Sequence, residues 1–253
     1  MNLQSISTHV LLVLTPLGAM PEEIRALENA VMRPSQEAVV EQLEDGRIRL
    51  EKLTVDPKAG SLTIPCKVNM GKGMVEYALV TEYGKCHESI LKTESAPHNI
   101  QAALLLLGAK SRPVGQPRAK VETGADPARL TARVEWDLNG GNVESRPLGD
   151  CYVFGNRGEP STGRAGGNEL HFNGSKVVPA GFLANQEGSV VSLVGDDLAV
   201  LNEASPTAPA EEPYIREGVL PREGRSVRLV LSRFPVEAAT SAAAPIPAKE
   251  GSP

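Results

Sequence analysis

Residues 64–108 constrain the fold more than any other stretch of this chain, because short strand patterns and turns follow each other closely there. Residues 61–70 and 74–83 have the composition of strands, and Gly71, Lys72 and Gly73 predict a tight reversal between them. Residues 88–93 form the next predicted strand. The alternation of apolar and polar side chains in these runs is typical of sheets with one well-buried face.

A helix is predicted directly after these strands. Pro97 is suited to the first helical turn, residues 99–107 continue it, and Gly108 is a typical end. Its four consecutive leucines leave little polar surface, so we expect this helix to be buried against the sheet at the centre of the core.

The rest of the chain also reads as strands and turns. Residues 155–167 are polar and rich in glycine and predict a flexible excursion, and residues 196–201 predict a short helical turn. The pattern as a whole predicts a β-rich α+β protein with mixed or antiparallel sheets, one buried helix and an N-terminal helical arm. Further strands are predicted at residues 119–123, 130–138, 142–147, 151–154, 169–178, 189–194 and 226–232.

The N-terminus has two alternative interpretations. Residues 10–20 are apolar, have the length of a signal-peptide core and end in small residues, which predicts a signal-like segment over residues 1–20. No Lys or Arg precedes this stretch, and Pro21 is unfavourable after a cleavage point, so a first buried strand or helix is the alternative. The stretch is too short to span a membrane, and residues 21–46 predict the helical arm.

The charge balance argues against one class of partner. The formal net charge is -5, aromatic residues make up 4% of the chain, and no cluster of Lys and Arg is visible. Because nucleic-acid binding needs a field that attracts phosphates and often a surface on which bases stack, we expect no nucleic-acid partner.

The three cysteines leave two states open. The sequence has no CxxC pair, since its cysteines are Cys66, Cys86 and Cys151. A zinc knuckle or redox dithiol is therefore not indicated. Cys66 and Cys86 could pair across a hairpin. The other interpretation is three separate thiols, buried or partly exposed.

Two separated segments carry a family resemblance. The run from Gly84 to Leu91 precedes Pro97 and the leucine helix, and a second motif spans residues 171–176 and 181–188. With the tryptophan-bearing strand around Trp136, these segments resemble the YdjY-domain family, found largely in bacterial proteins with export signals. The resemblance implies a fold and a compartment, and it implies no assigned activity.

The resemblance also implies a domain organisation. A YdjY-like domain is expected over residues 47–202, followed by a linker and final strand over residues 203–234. Residues 235–253 are rich in Ala, Pro and Ser and predict a disordered, dispensable tail.

Polar residues in the two motifs form the candidate site. Because loops at one edge of a sheet gather in one place, we expect the two segments to lie together and line one shallow site. His87, Glu88 and His98, with His171 as a further member, are candidate metal ligands, or alternatively pair locally and cap the helix. The candidate binding residues are Lys85, His87, Glu88, Ser89, Asn173 and Ser175.

These observations predict a non-catalytic binding or structural module of the bacterial envelope, acting on an unknown ligand or envelope protein. The alternative is a metal-dependent enzyme that uses the histidine and glutamate cluster. A periplasmic or extracellular location is favoured, with the cytoplasm as the alternative. No cofactor or substrate is indicated by the sequence.

Overall fold

The computed structural model of the protein describes residues 39–112, 126–156, 159–204 and 211–233. These residues are mostly strands, with two short helices, so the predicted β-rich class with mixed sheets is confirmed. The first strands are β1 (Val40–Gln42), β2 (Ile48–Leu50), β3 (Leu53–Asp56), β4 (Ser61–Val68), β5 (Tyr77–Thr81), β6 (Ser89–Thr93), β7 (Arg129–Asp137) and β8 (Val143–Pro147). The later strands are β9 (Tyr152–Asn156), β10 (Glu159–Ala165), β11 (Glu169–Phe172), β12 (Val177–Val178), β13 (Gly181–Phe182), β14 (Ser189–Ser192), β15 (Leu201–Glu203), β16 (Glu211–Ile215) and β17 (Ser226–Arg233). The helices are α1 (Pro97–Leu106) and α2 (Leu183–Glu187).

Eight strands close into a barrel. Their order is β4, β17, β7, β11, β15, β14, β5 and β6, and β6 pairs back onto β4. The closing pairs are Lys67 with Lys92 and Val68 with Leu91. Closure gives every strand of the ring two neighbours, which removes open edges from the ring.

The barrel interior is filled by alternate residues of its long strands. On β4, Leu62, Ile64 and Val68 are buried, while the intervening Thr63 and Lys67 are partly exposed. β7 and β17 alternate in the same way along most of their length. This period of two is the pattern that predicted the strands, and it places the apolar side chains in one core.

Other strands extend from the ring. β1, β2 and β3 continue from β4 as a meander, and β8 pairs with β7. β10, β9 and β16 form a separate three-stranded sheet, and β12 pairs with β13. The ring itself contains two parallel pairs, β5 with β6 and β14 with β15.

α1 is buried on one side only. Ile100, Ala103 and Leu104 are fully buried, and the helix contacts β3, β4 and α2. Leu106, however, is 51% exposed. The helix is thus buried against the sheet, as predicted, through the side that carries Ile100, Ala103 and Leu104, while Leu106 on the other side faces solvent.

Four local expectations differ from the structure. Residues 40–42, expected in the helical arm, form β1, and the arm before residue 39 lies outside the described residues, as do the predicted strand at 119–123 and the tail. The predicted excursion at 155–167 contains β10, and residues 196–200 form turns without a helix before β15 begins at Leu201. The reversal at residues 71–73 makes no hairpin, since β6 rather than β5 pairs with β4. β1 and β10 pair with strands close in sequence, β2 and β9, whereas the missing hairpin at residues 71–73 reflects a pairing set by contacts more distant in sequence.

Candidate functional site

The two motif segments meet through a pair of glycines. The Thr81 amide donates to the Gly188 carbonyl over 2.8 Å, which brings the turn after β5 against the end of α2. A Cβ added at Gly188 would lie 2.7 Å from the Gly84 Cα and 2.3 Å from the Thr81 Oγ1. Such distances are below van der Waals contact, so this approach requires glycine at residue 188. We call the contact of Gly84 with Gly188 the motif junction.

A continuous series of hydrogen bonds, here called the polar chain, runs from Lys85 to Asn173. Lys85 Nζ donates to Tyr77 Oη, which donates to Asp196 Oδ2, each over 2.9 Å. The Asp196 amide donates to Asn202 Oδ1 over 2.6 Å, and Asn202 Nδ2 donates to Asn173 Oδ1 over 2.7 Å. The first and second motifs are therefore joined by side chains as well as by the glycines.

The second motif has an unusual backbone. Gly174 has φ +80° and Ser175 has φ +55°, a region that residues with a Cβ rarely occupy. The Ser175 hydroxyl donates to the Leu198 carbonyl over 2.5 Å and accepts from the Ala184 amide over 3.1 Å. These bonds hold the turn against the start of α2, so Ser175 acts within the fold and its hydroxyl has no remaining hydrogen to donate.

The first motif presents side chains to solvent. A short 3-10 turn, Cys86–Glu88, follows Lys85, and His87 on it is 80% exposed at its side chain. Glu88 lies 3.9 Å from Lys85 Nζ and 3.7 Å from the His87 ring. Ser89, also predicted as a binding residue, is fully buried, and its hydroxyl donates to the Leu91 carbonyl. Lys85 and His87, whose side chains are 41% and 80% exposed, are thus the most accessible of these residues, and Glu88 is 17% exposed beside them.

Lys85 and Tyr77 both keep their protons in the polar chain. The hydrogen bond to Tyr77 raises the pKa of Lys85, so its ammonium group stays protonated. Burial raises the pKa of the Tyr77 hydroxyl, which therefore stays protonated too. Tyr77 accepts from one neighbour and donates to the other, so it is a bridge rather than a base.

The predicted metal ligands are not assembled into one group. His98 lies at the start of α1, where its Nδ1 accepts from Asn185 Nδ2 over 2.6 Å. His171 bonds to Arg112 through both ring nitrogens. Among the described residues, no three His, Cys, Asp or Glu side chains are placed to hold a metal ion. The partners of His98 and His171 are distant in sequence, and the N-cap position of α1 carries no capping side chain, so the alternative of local pairing and helix capping does not describe these two histidines either.

The cysteines are separate free thiols. Burial raises the pKa of both Cys66 and Cys151 to about 12, which keeps them protonated. Cys86 is half-buried, and its thiol lies 3.5 Å from the Thr81 carbonyl oxygen. None of these contacts pairs a thiol with a base that would make it a nucleophile.

Sequence reasoning missed four members of this region. Tyr77, Asp196 and Asn202 form the middle of the polar chain, and Tyr83 is 63% exposed beside the first motif. In the sequence, Tyr77 is one residue of a predicted strand. Its hydrogen bonds to Lys85 and Asp196 appear only when the fold brings these residues together. Tyr83 offered a clearer sequence indication, because it directly precedes the glycine turn of the motif.

The fold is a closed eight-stranded β-barrel in which the polar chain joins two turn motifs. The model of the YdjY domain family matches residues 53–232, and the chain belongs to this family. The match extends past the predicted domain end at residue 202, because β17 pairs with both β4 and β7 and completes the barrel. Neither the curated proteins nor the solved structures gave a match. Over the described part of the chain, the helices are too short or too polar to cross a membrane.

Proposed function

We propose that this protein is a non-catalytic binding module of the bacterial envelope, and that residues 82–88 form its contact surface. The observation that carries this proposal is a contrast within one loop. The loop is fixed by the motif junction and the polar chain, yet Tyr83 is 63% exposed and the His87 side chain is 80% exposed. A rigid loop loses little conformational entropy when it binds, which favours affinity.

The chemistry of the loop fits a protein partner. Exposed tyrosines supply large contact area with few rotatable bonds, and they are enriched at protein interfaces. Lys85 and Glu88 add one charge of each sign within 3.9 Å of each other, so this surface can accept complementary charges of a polar partner. A partner with an apolar pocket for Tyr83 and a carboxylate near Lys85 would suit it best.

The groups of the site favour binding over catalysis. Tyr77 and Lys85 both have raised pKa values, so neither supplies a neutral-pH base. The Ser175 hydroxyl donates to a backbone carbonyl rather than to a histidine. These arrangements stabilise a fixed surface and leave no activated nucleophile among the groups of the site.

The envelope location is part of the same proposal. It is supported by the apolar stretch at residues 10–20 and by the export signals common in the family. A fusion of residues 1–38 to a reporter enzyme that is active only outside the cytoplasm measures this directly. Export of the reporter is expected, and a reporter that stays inactive with intact fusion protein would place the chain in the cytoplasm.

The contact surface can be tested with a photo-cross-linking amino acid in the full chain in cells. Placed at residue 83 it should give a discrete adduct, while at Val143, which is 53% exposed on β8, it should give none. The adduct at residue 83 should also disappear when Lys85 and His87 are both replaced by Ala. Equal adducts at both positions, or an adduct that survives the double substitution, would reject residues 82–88 as the surface.

A further inference from the structure

The chain contains two described Asn-Gly pairs in opposite environments, at Asn139 and at Asn173. We propose that Asn139 is a site of spontaneous deamidation in the native protein and that Asn173, with the same following residue, is protected by the fold. The inference is independent of the proposed binding function. It concerns a covalent modification that converts an asparagine to aspartate and isoaspartate.

The reaction requires only the chain and water. The Gly140 backbone nitrogen attacks the Asn139 side-chain carbonyl carbon, a new C–N bond forms, and the side-chain nitrogen leaves as ammonia with the proton that Gly140 loses. Water then opens the resulting five-membered imide at either carbonyl, which gives aspartate or isoaspartate. Glycine after the asparagine favours the first step, because no Cβ hinders its nitrogen.

In the turn between β7 and β8, neither reacting group is held by the fold. Asn139 and Gly140 are exposed, and a Cβ added at Gly140 would have no atom within 4 Å. In the described part of the chain, neither the Asn139 side chain nor the Gly140 amide makes a hydrogen bond. The turn closes through the Leu138 amide and the Asn142 carbonyl instead, over 2.7 Å. The attacking and attacked groups can therefore rotate towards each other.

At Asn173 both reacting groups are held. Asn173 is 6% exposed, its Oδ1 accepts from Asn202 over 2.7 Å, and its Nδ2 donates to the Ala199 carbonyl over 2.7 Å. The Gly174 amide donates to the Val200 carbonyl over 3.0 Å, so the nucleophile is also occupied. These hydrogen bonds would have to break before the Gly174 nitrogen could attack the Asn173 side chain. A displacement of about 1 Å between reacting atoms lowers the rate about a hundredfold.

The experiment compares the two sites in one molecule. The full chain is incubated at mildly alkaline pH, native and in urea, and peptides carrying each site are followed by mass spectrometry. In the native chain, the Asn139 peptide should convert about a hundredfold faster than the Asn173 peptide. In urea the two rates should become similar, because both dipeptides are then equally free. Methylation by an enzyme specific for isoaspartate confirms the product at residue 139.

Two variants sharpen the result. Gly140→Ala should suppress conversion at Asn139 while leaving the asparagine in place. Asn202→Ala should accelerate conversion at Asn173 in the native chain, since it removes the donor to Oδ1. The proposal is overturned if native Asn139 stays an amide under conditions that convert it in urea, or if native Asn139 and Asn173 convert at equal rates.

Discussion

The motif junction and the β7–β8 turn use glycine for different reasons. Gly188 and Gly140 both have positive φ, +70° and +87°. Gly188 also lies where a Cβ would overlap Thr81 and Gly84, whereas nothing lies within 4 Å of a Cβ at Gly140. The first glycine is therefore fixed by tertiary packing and by conformation, and the second by conformation alone. Two glycines with similar φ values thus have different tolerance to change.

The largest predicted effect is a difference in the free energy of unfolding between variants at these two glycines. Gly188→Ala should lower the free energy of unfolding by about 2–5 kcal/mol, from about 1–3 kcal/mol of overpacking and about 1–2 kcal/mol of backbone strain. Gly140→Ala should lower it by about 1–2 kcal/mol from backbone strain alone. Urea denaturation of both variants measures the difference. Equal losses would show that the Gly84 contact relaxes without cost.

A second contrast lies along α1, which packs against α2, the short helix capped by Gly188. Leu104→Ala should cost about 2–5 kcal/mol, because the side chain is fully buried and its loss leaves a cavity. Leu106→Ala, two residues further on, should change the free energy of unfolding by less than about 0.5 kcal/mol. Thermal and chemical denaturation midpoints check both, and a stable Leu104 variant would contradict the observed packing of this helix.

The polar chain gives a third comparison with the open turn. Asn202→Ala removes a donor to Asn173 and an acceptor for the Asp196 amide, and should cost about 1–3 kcal/mol. Asn142→Ala in the β7–β8 turn should cost less than about 0.5 kcal/mol, because Asn142 is exposed. If both variants unfold at the same urea concentration, the hydrogen bonds of the polar chain contribute nothing to the stability of the protein.

A smaller effect concerns pH. Burial lowers the pKa of both His98 and His171, so the native protein holds them neutral. The unfolded chain then binds more protons than the native chain below the ordinary value of about 6.5, so stability is full above that pH and falls as pH decreases through it. In the His98→Asn variant, the new Oδ1 replaces Nδ1 as an acceptor for Asn185. This variant should show a smaller change in the free energy of unfolding per pH unit. An unchanged slope between neutral and mildly acidic pH in that variant would remove His98 as a cause.

The smallest predicted effect is at the surface of the first motif. His87→Ala should change the free energy of unfolding by less than about 0.5 kcal/mol, because its side chain is 80% exposed. The same variant, combined with Lys85→Ala, should abolish the cross-link from residue 83. A large loss of stability would mean that His87 supports the loop instead of facing a partner.

Much of the candidate site could be predicted, and one part could not. Contact between the two motifs was expected from the way loops gather at a sheet edge, and Gly84 and Gly188 make such a contact. That the two segments line one shallow site stays a prediction. The link between the segments runs through glycines and through buried residues such as Tyr77, which were not among the predicted binding residues. A tyrosine in a strand has the same local pattern whether its hydroxyl is buried, bridged or exposed, so its role depends on distant residues.

The sequence by itself determined the local elements of this protein. Period-two alternation defined β4, β7 and β17 closely, and Pro97 and Gly108 bounded α1, because these preferences depend on neighbouring residues. Only the tertiary structure decided that β6 pairs with both β4 and β5, that the ring closes, and that one side of α1 faces solvent. The physical reason is that strand pairing and burial are set by contacts between segments far apart in the chain, and local patterns are compatible with several such pairings.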